Sequence, residues 1–318
     1  ILNWYDIHKR TLPWRKKTSL KKKQYYTLVS EFMLQQTQVA TVIPYFNRFI
    51  KHIPNLEVLA KYDDQKLIKL WEGLGYYSRV KNLKKTAQIV IKDFKKNLPD
   101  NTLDLKSLPG IGDYTANAIM AIAFNKPVIP LDGNIERVLK RYLYLKNENQ
   151  IHKDNLIKQK KIFGTSLRSS DYAQALMELG ALICKPINPY CERCPISGKC
   201  KSFKKKDFVL IKFKKNNKEK YYLLKVFKKD KKYLLVKNKN FNFLKNLDIF
   251  PMQEIIKPKN FDHNLNFKMS NMNMNIKIQT NKANKPLPFS YWIDPKKLKK
   301  YTLPTFTKKI VSYLENHS

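Results

Sequence analysis

Residues 107–119 read Ser107-Leu108-Pro109-Gly110-Ile111-Gly112-Asp113-Tyr114-Thr115-Ala116-Asn117-Ala118-Ile119. A Pro-Gly-x-Gly turn runs here into small and apolar residues at helical spacing, which predicts a tight turn feeding a helix that begins near Thr115. Gly110 and Gly112 permit tight backbone geometry and the close approach of a ligand. The first turn of the helix offers unpaired N–H groups to a phosphate. Taken alone, the same string could be a plain helix–helix turn. The downstream segment Leu131-Asp132-Gly133-Asn134, 22 residues after Gly110 at its Asp132, weakens that reading.

Outward from this turn, apolar residues recur at helical spacing in 26–39, 67–71, 83–94, 115–124, 135–143 and 172–183. Pro44, Pro54, Gly73, Gly75, Pro99, 109–112 and 130–133 punctuate them. Residues 1–200 therefore predict an all-α domain. The character changes after Cys200. Residues 221–226, 233–236, 273–279 and 289–293 read as short strands, and 303–315 as a closing helix. A smaller α+β domain is expected over 207–318, joined by a Lys-rich linker at 201–206.

The chain has 318 residues, 43% hydrophobic and 12% aromatic, so it has the material for real cores. Its formal net charge of +38 points to a polyanionic partner, with nucleic acid first. Eight arginines stand beside a great excess of lysine. That skew matches AT-rich codon usage and discounts the charge as evidence. No apolar run approaches the ~18 residues of a membrane span, and the first residues lack the apolar core of a signal peptide. A cytoplasmic monomer is expected.

All four cysteines fall within 17 residues, as Cys184-x6-Cys191-x2-Cys194-x5-Cys200. Clustering of this kind favours metal ligation over disulfides. Zinc and iron–sulfur centres both accept four thiolates. Zinc sites usually pair two short knuckles, and only Cys191 and Cys194 form one. Two carboxylates also stand out. Asp132 precedes a helical segment, where a simple capping role would suffice. Glu31 sits among apolar residues in Val29-Ser30-Glu31-Phe32-Met33-Leu34-Gln35-Gln36-Thr37-Gln38. Its pKa is expected to be raised toward neutrality, although a salt-bridged helix glutamate is the plainer alternative.

Five segments in order, 30–39, 73–83, 107–119, 131–139 and the four-cysteine loop, together resemble the MutY family of the endonuclease III-like superfamily. The resemblance covers residues 4–200. It implies a helix–hairpin–helix glycosylase domain with a [4Fe–4S] loop on Cys184, Cys191, Cys194 and Cys200, followed by a Nudix-like domain. The hairpin at Gly110 and Gly112 would clamp the DNA backbone and could hold a monovalent cation. The implied activity is removal of adenine mispaired with 8-oxoguanine, or guanine, in double-stranded DNA. Glu31 would be the general acid and Asp132 the stabiliser of the sugar cation. Bifunctional relatives carry a lysine just before Thr115, whose amine attacks the sugar. Tyr114 stands there instead, which implies a monofunctional enzyme. Tyr76 would be a wedge in the base stack, with Leu74 and Gln36 near the oxidised guanine, and Thr37 belongs to the same signature. Arg10, Trp14, Arg15 and Gln174 resemble positions around the extruded adenine.

The C-terminal domain departs from the family pattern. No Nudix catalytic box is present, so a second hydrolase activity is not expected. The family's lesion-sensing Phe-Ser-His loop has its nearest match in Met269-Ser270-Asn271, where Ser270 could still bond the lesion and Asn271 replaces the histidine. Two rivals remain: a bifunctional endonuclease III-like glycosylase/lyase, and a non-catalytic iron–sulfur DNA-binding protein.

Overall fold

A computed structural model describes residues 1–146, 166–208, 218–258, 260–269, 271–281 and 287–317. The chain divides into two compact units. The first is Ile1–Asp63 with Ser78–Lys212, and the second is Asp64–Tyr77 with Phe213–Ser318. Segment 64–77, expected within the first domain, thus belongs to the second unit.

The first unit is helical throughout its described residues, with α1 (Leu2–His8), α2 (Leu20–Leu34), α3 (Val39–His52) and α4 (Leu56–Lys61). Helix α5 (Asp64–Trp71) falls in the second unit. The first resumes with α6 (Ser78–Asp93), α7 (Thr102–Ser107), α8 (Asp113–Ile122), α9 (Gly133–Leu143), α10 (Ser169–Glu178) and α11 (Lys201–Lys204). Helix α2 is central. Every residue from Thr27 to Met33 is buried, so its C-terminal half has no solvent face. It packs against α8, α3 and α6. Ala116, Ala118 and Ala121 are buried on α8, and their small side chains allow a close approach. Val42, Phe46 and Phe49 make the buried stripe of α3.

The apolar run 26–39, expected as one helix, is two. Helix α2 stops at Leu34, Gln36 turns left-handed at φ +57°, and α3 starts at Val39. The cause is Arg79, buried on α6. Its Nη1 donates to the carbonyls of Phe32 (3.1 Å), Met33 (2.7 Å) and Gln35, and to Thr37 Oγ1 (3.1 Å). A guanidinium thus satisfies the carbonyls that a longer helix would have bonded. Pro44, expected as a break, lies inside α3.

The turn at 108–112 joins α7 to α8. Gly110 has φ +81°, and a Cβ there would lie 2.9 Å from Phe32 Cε1 and 3.0 Å from Asn82 Cβ. Both its backbone and its surroundings demand glycine. Gly112 is different: its φ is −95°, and a Cβ would meet nothing within 4 Å. Helix α10 passes directly into a π turn, Leu179–Ile183, that leads to the cysteines. Residues 201–206, expected as a linker, instead fold onto the first unit. Helix α11 packs on α9, Ser202 is buried, and the next residue after this stretch, Asp207, accepts from Tyr144 Oη (2.7 Å) and Lys146 (3.0 Å).

The second unit is a seven-stranded mixed sheet with a helix on it, the α+β class expected. Its strands are β1 (Lys218–Lys229), β2 (Lys232–Lys237), β3 (Asp248–Ile249), β4 (Met252–Ile255), β5 (Leu265–Met269), β6 (Met272–Asn281) and β7 (Ser290–Ile293). The order is β3-β2-β1-β6-β5, with β4 also paired to β1 and β7 to β2. Among the described residues, only β1 and β6 pair in parallel, with Tyr222 opposite Ile276 and Leu224 opposite Ile278. Helix α12 (Thr305–Asn316) contributes Phe306, Ile310 and Val311 to a core with Tyr222, Leu224, Leu235, Phe250, Met274 and Ile276. Among the described residues, no helix is long and apolar enough to cross a membrane.

Gly180, in the π turn, sets the spacing to α9: a Cβ there would lie 2.6 Å from Asn134 Cβ and 3.0 Å from its backbone. Gly180→Ala should therefore destabilise the protein by about 1–3 kcal/mol in denaturant unfolding. Gly198→Ala, where a Cβ meets nothing within 4 Å, should stay within about 0.5 kcal/mol of the parent.

Candidate active site

A cavity of about 930 Å³ opens in the first unit, lined among others by Trp14, Arg15, Glu31, Tyr114, Asp132 and Glu178. Glu31 is carried by the last turns of α2. It is 4% exposed, and its Oε2 finds no hydrogen-bond partner among the described residues. Burial pushes its carboxyl up to about 7. The Tyr114 hydroxyl and Arg15 pull against that shift, and the nearby Asp132 adds to it. Glu31 is thus a carboxylic acid able to hold or release a proton near neutrality, as its apolar setting predicts.

Asp132 is the N-cap of α9. Its Oδ1 accepts from the Ile135 amide (2.7 Å) and its Oδ2 from Asn134 Nδ2 (2.9 Å). Burial raises its pKa, while these donors and Arg137 oppose the rise. Asp132 therefore caps α9, and it also lies close enough to Glu31 to raise its pKa. Tyr114 stands at the start of α8. Burial first, then Glu31 and Asp132, push its phenol well above 10, so it remains a neutral donor.

The amines near Tyr114 in sequence are engaged elsewhere, Lys106 with Asp113 (2.7 Å) and Lys126 with Asp100 (3.9 Å). Lys23 does line the cavity, donating to Ser170 Oγ at 3.4 Å, and burial lowers its pKa. It lies eight residues before Glu31 on α2, about 12 Å along the axis at 1.5 Å per residue.

In the same cavity, Arg10 grips Glu178 with two bonds of 2.8 Å, and Arg15 adds a third contact at 2.9 Å. Glu178 is fully buried, a charge held by two guanidinium groups. Sequence reasoning placed Arg10 and Arg15 here but missed Glu178. The available signal was an acidic residue inside the apolar run Ala175-Leu176-Met177-Glu178-Leu179-Gly180. Gln174 donates to Ser170 O at 3.1 Å, and Trp14 sits edge-on to Phe46 at 5.3 Å. Thr37 lines the cavity; Gln36 does not.

Two further expected residues belong to the second unit. Leu74 is buried and Tyr76 is 41% exposed, both in the second unit, on a turn with φ of +103° at Gly73, +70° at Gly75 and +47° at Tyr76. Ser270 lies outside the described residues.

The four cysteines line one apolar pocket with Val138, Phe203 and Phe208. Arg141 Nη1 lies 3.5 Å from Cys184 Sγ, and the sulfurs receive backbone N–H groups from Ile196 at Cys194 and from Ser202 and Phe203 at Cys200. Burial and mutual repulsion raise Cys191, Cys194 and Cys200, the second to about 11. A donor set of this kind suits a cationic inorganic centre that keeps four thiolates together. Arg137 ties this loop to the acidic site, donating to the Cys184 and Gly180 carbonyls and to Asn134 Oδ1.

Residues 29–160 match the family model of the HhH-GPD superfamily of base excision DNA repair proteins. A thermostable thymine-DNA glycosylase of known structure is 29% identical, with a TM-score of 0.57 over 64% of this chain and 93% of its own. The endonuclease III of a non-covalent DNA complex, at 20% identity and a TM-score of 0.53, shares the fold. The helical unit is therefore that of a base-excision glycosylase.

Two adenine DNA glycosylases narrow the class. That of Buchnera aphidicola subsp. Baizongia pistaciae is 40% identical over 257 residues, 79% of this chain and 72% of its own. That of Homo sapiens is 39% identical over 213 residues, 64% of this chain and 38% of its own. The chain belongs to the MutY family of adenine DNA glycosylases, enzymes that remove adenine in base-excision repair.

Folding raises the pKa of Glu31 from an ordinary 4.5 to about 7, so the folded state holds the extra proton in that window. Stability is lost as pH climbs from about 4.5 to 7 and stays low above it. Glu31→Gln should then be more stable than the parent at pH 8, by up to about 3 kcal/mol, with the gap closing below pH 5. Denaturant unfolding across pH would show it, and equal stability at pH 8 would contradict the assignment.

Proposed function

We propose that the enzyme hydrolyses the N-glycosidic bond of adenine paired with 8-oxoguanine or guanine in duplex DNA, without lyase chemistry. The observation that carries this is the buried Glu31 carboxyl, near neutral in pKa, beside Asp132 and Tyr114. Glu31 gives its proton to a ring nitrogen of adenine. The C1′–N9 bond then breaks with its electron pair leaving on the base. Asp132, aimed by the α9 amide and Asn134, stabilises the positive sugar. Water adds to C1′, and its proton returns to the Glu31 carboxylate. Tyr114 orients Glu31 and offers no amine, so no imine forms on the sugar.

The base is extruded from the stack, with Tyr76 as the wedge, Leu74 and Gln36 near the lesion, and Arg10, Trp14, Arg15 and Gln174 around the adenine. The Gly110–Gly112 turn and the first amides of α8 hold the DNA backbone. The same turn could hold a monovalent cation: the Pro109 and Gly110 carbonyls accept from Thr86 and Gln35, and each keeps a second lone pair. The sheet unit is read as Nudix-like and lesion-recognising, with Ser270 as the lesion contact. The protein acts as a cytoplasmic monomer.

Cys184, Cys191, Cys194 and Cys200 would hold a [4Fe–4S] cluster, which when bound gives the loop its shape. Zinc fits less well. Zinc sites usually pair two short Cys knuckles, and only Cys191 and Cys194 form one here.

Purified enzyme should release adenine from an 8-oxoguanine:adenine duplex, with Glu31→Gln slower by about 10²–10⁴-fold. Single-turnover rates should fall as pH rises through about 7, because Glu31 then loses its proton. Tyr114→Phe removes a hydroxyl that lowers the Glu31 pKa, and should move that fall to higher pH. Borohydride should trap no covalent DNA adduct; a trapped adduct would overturn the monofunctional mode. Iron analysis should give about four irons per chain, lost in Cys191→Ser.

A further inference from the structure

The turn that carries Tyr76 is unfavourable by itself. Gly73, Gly75 and Tyr76 all take left-handed backbone angles, and Tyr76 does so with a bulky side chain. Something must hold it. Trp71, fully buried, donates from Nε1 to the Gly75 carbonyl at 3.1 Å. The next residue, Glu72, is the hub of a second set of bonds. Its Oε1 accepts from the Leu303 amide (3.0 Å) and from Lys308 Nζ (2.8 Å), and its Oε2 from Lys69 Nζ (2.8 Å). Lys69 donates in addition to the carbonyls of Lys299 (3.3 Å) and Tyr301 (3.2 Å). The Glu72 side chain is only 12% exposed. Burial raises its pKa, but Lys308, Lys69 and the Leu303 amide outweigh that and hold it below the ordinary value. A largely desolvated carboxylate with three donors is directional, unlike a surface ion pair. Two of the donors come from the C-terminal segment that leads into and forms α12.

We propose that Glu72 is a positioning residue through which the C-terminal segment 299–308 holds the Gly73–Tyr76 turn in its DNA-engaging shape. The sheet unit then contributes to adenine removal by presenting the wedge as well as by sensing the lesion. This rests on Tyr76 being the wedge. It explains why 64–77, helical and embedded in the sequence of the first unit, is compact with residues more than 200 positions away.

The test uses full-length enzyme and a duplex carrying 2-aminopurine as the target base opposite 8-oxoguanine, whose fluorescence rises on unstacking. A matched adenine duplex gives single-turnover rates across pH. Tyr76→Ala, Glu72→Gln and Lys308→Met should each lower the fluorescence rise and slow excision about tenfold. The pH midpoint set by Glu31 should not move, because the chemistry itself is untouched. Lys308→Arg should restore the parent behaviour. Loss in Tyr76→Ala but parent-like Glu72→Gln and Lys308→Met would overturn the positioning role and leave the wedge standing. Parent-like Tyr76→Ala would remove the wedge and this inference with it. Loss in Glu72→Gln without loss in Lys308→Met would also overturn it, since Lys308, the charged C-terminal donor, would then be idle.

Discussion

The burial of one carboxyl in the C-terminal half of helix α2 governs the first unit. Helix α2 packs against α3, α6 and α8, and every residue from Thr27 to Met33, Glu31 among them, is buried. Holding its pKa near 7 costs the folded protein about 3 kcal/mol at alkaline pH, a large share of a typical 5–15 kcal/mol stability. The surroundings divide that cost. Tyr114 and Arg15 favour the charged form, while Asp132 disfavours it. Their balance leaves an acid that is neither fixed as a carboxylate nor locked as a neutral group. Moving the start of α8, the start of α9 or the turn 13–15 that carries Arg15 would upset it.

Much of this was legible in the sequence, and the reasons differ by element. The α6, α8, α9 and α10 periodicities were strong because their buried apolar residues recur at helical spacing. The α2–α3 break was hidden. Its cause, Arg79, is 44 residues from Gln35, and the apolar pattern runs straight through the break. Strands β3, β4 and β5 escaped notice because they are short or only half-buried, so they carry little alternation. Glu31, Asp132 and Tyr114 were readable because each lies in a distinctive local string. Glu178 was not, since its meaning depends on Arg10 and Arg15, more than 160 positions away.

The lysine-rich composition sharpens the role of the few arginines. Of eight, Arg10, Arg15, Arg79, Arg137, Arg141 and Arg168 each make several directed bonds within the first unit. Arg79 gathers the end of α2, and Arg141 gathers the carbonyls of Lys185, Pro186 and Phe208 around the cysteine pocket. A lysine ammonium lacks the planar fork these sites use. In this chain, arginine marks architecture and lysine mostly marks surface.

The double use of Asp132 has a consequence for how the enzyme can fail. As the N-cap of α9 its requirements are modest: asparagine, serine or threonine would also accept the Ile135 amide. In the proposed role of facing a nascent sugar cation it would need a negative charge, which those residues lack. Damage at this position would then yield an intact fold with silent chemistry. Such a protein would still engage mispaired adenine and would occupy the site without clearing it, competing with active copies for the same lesions.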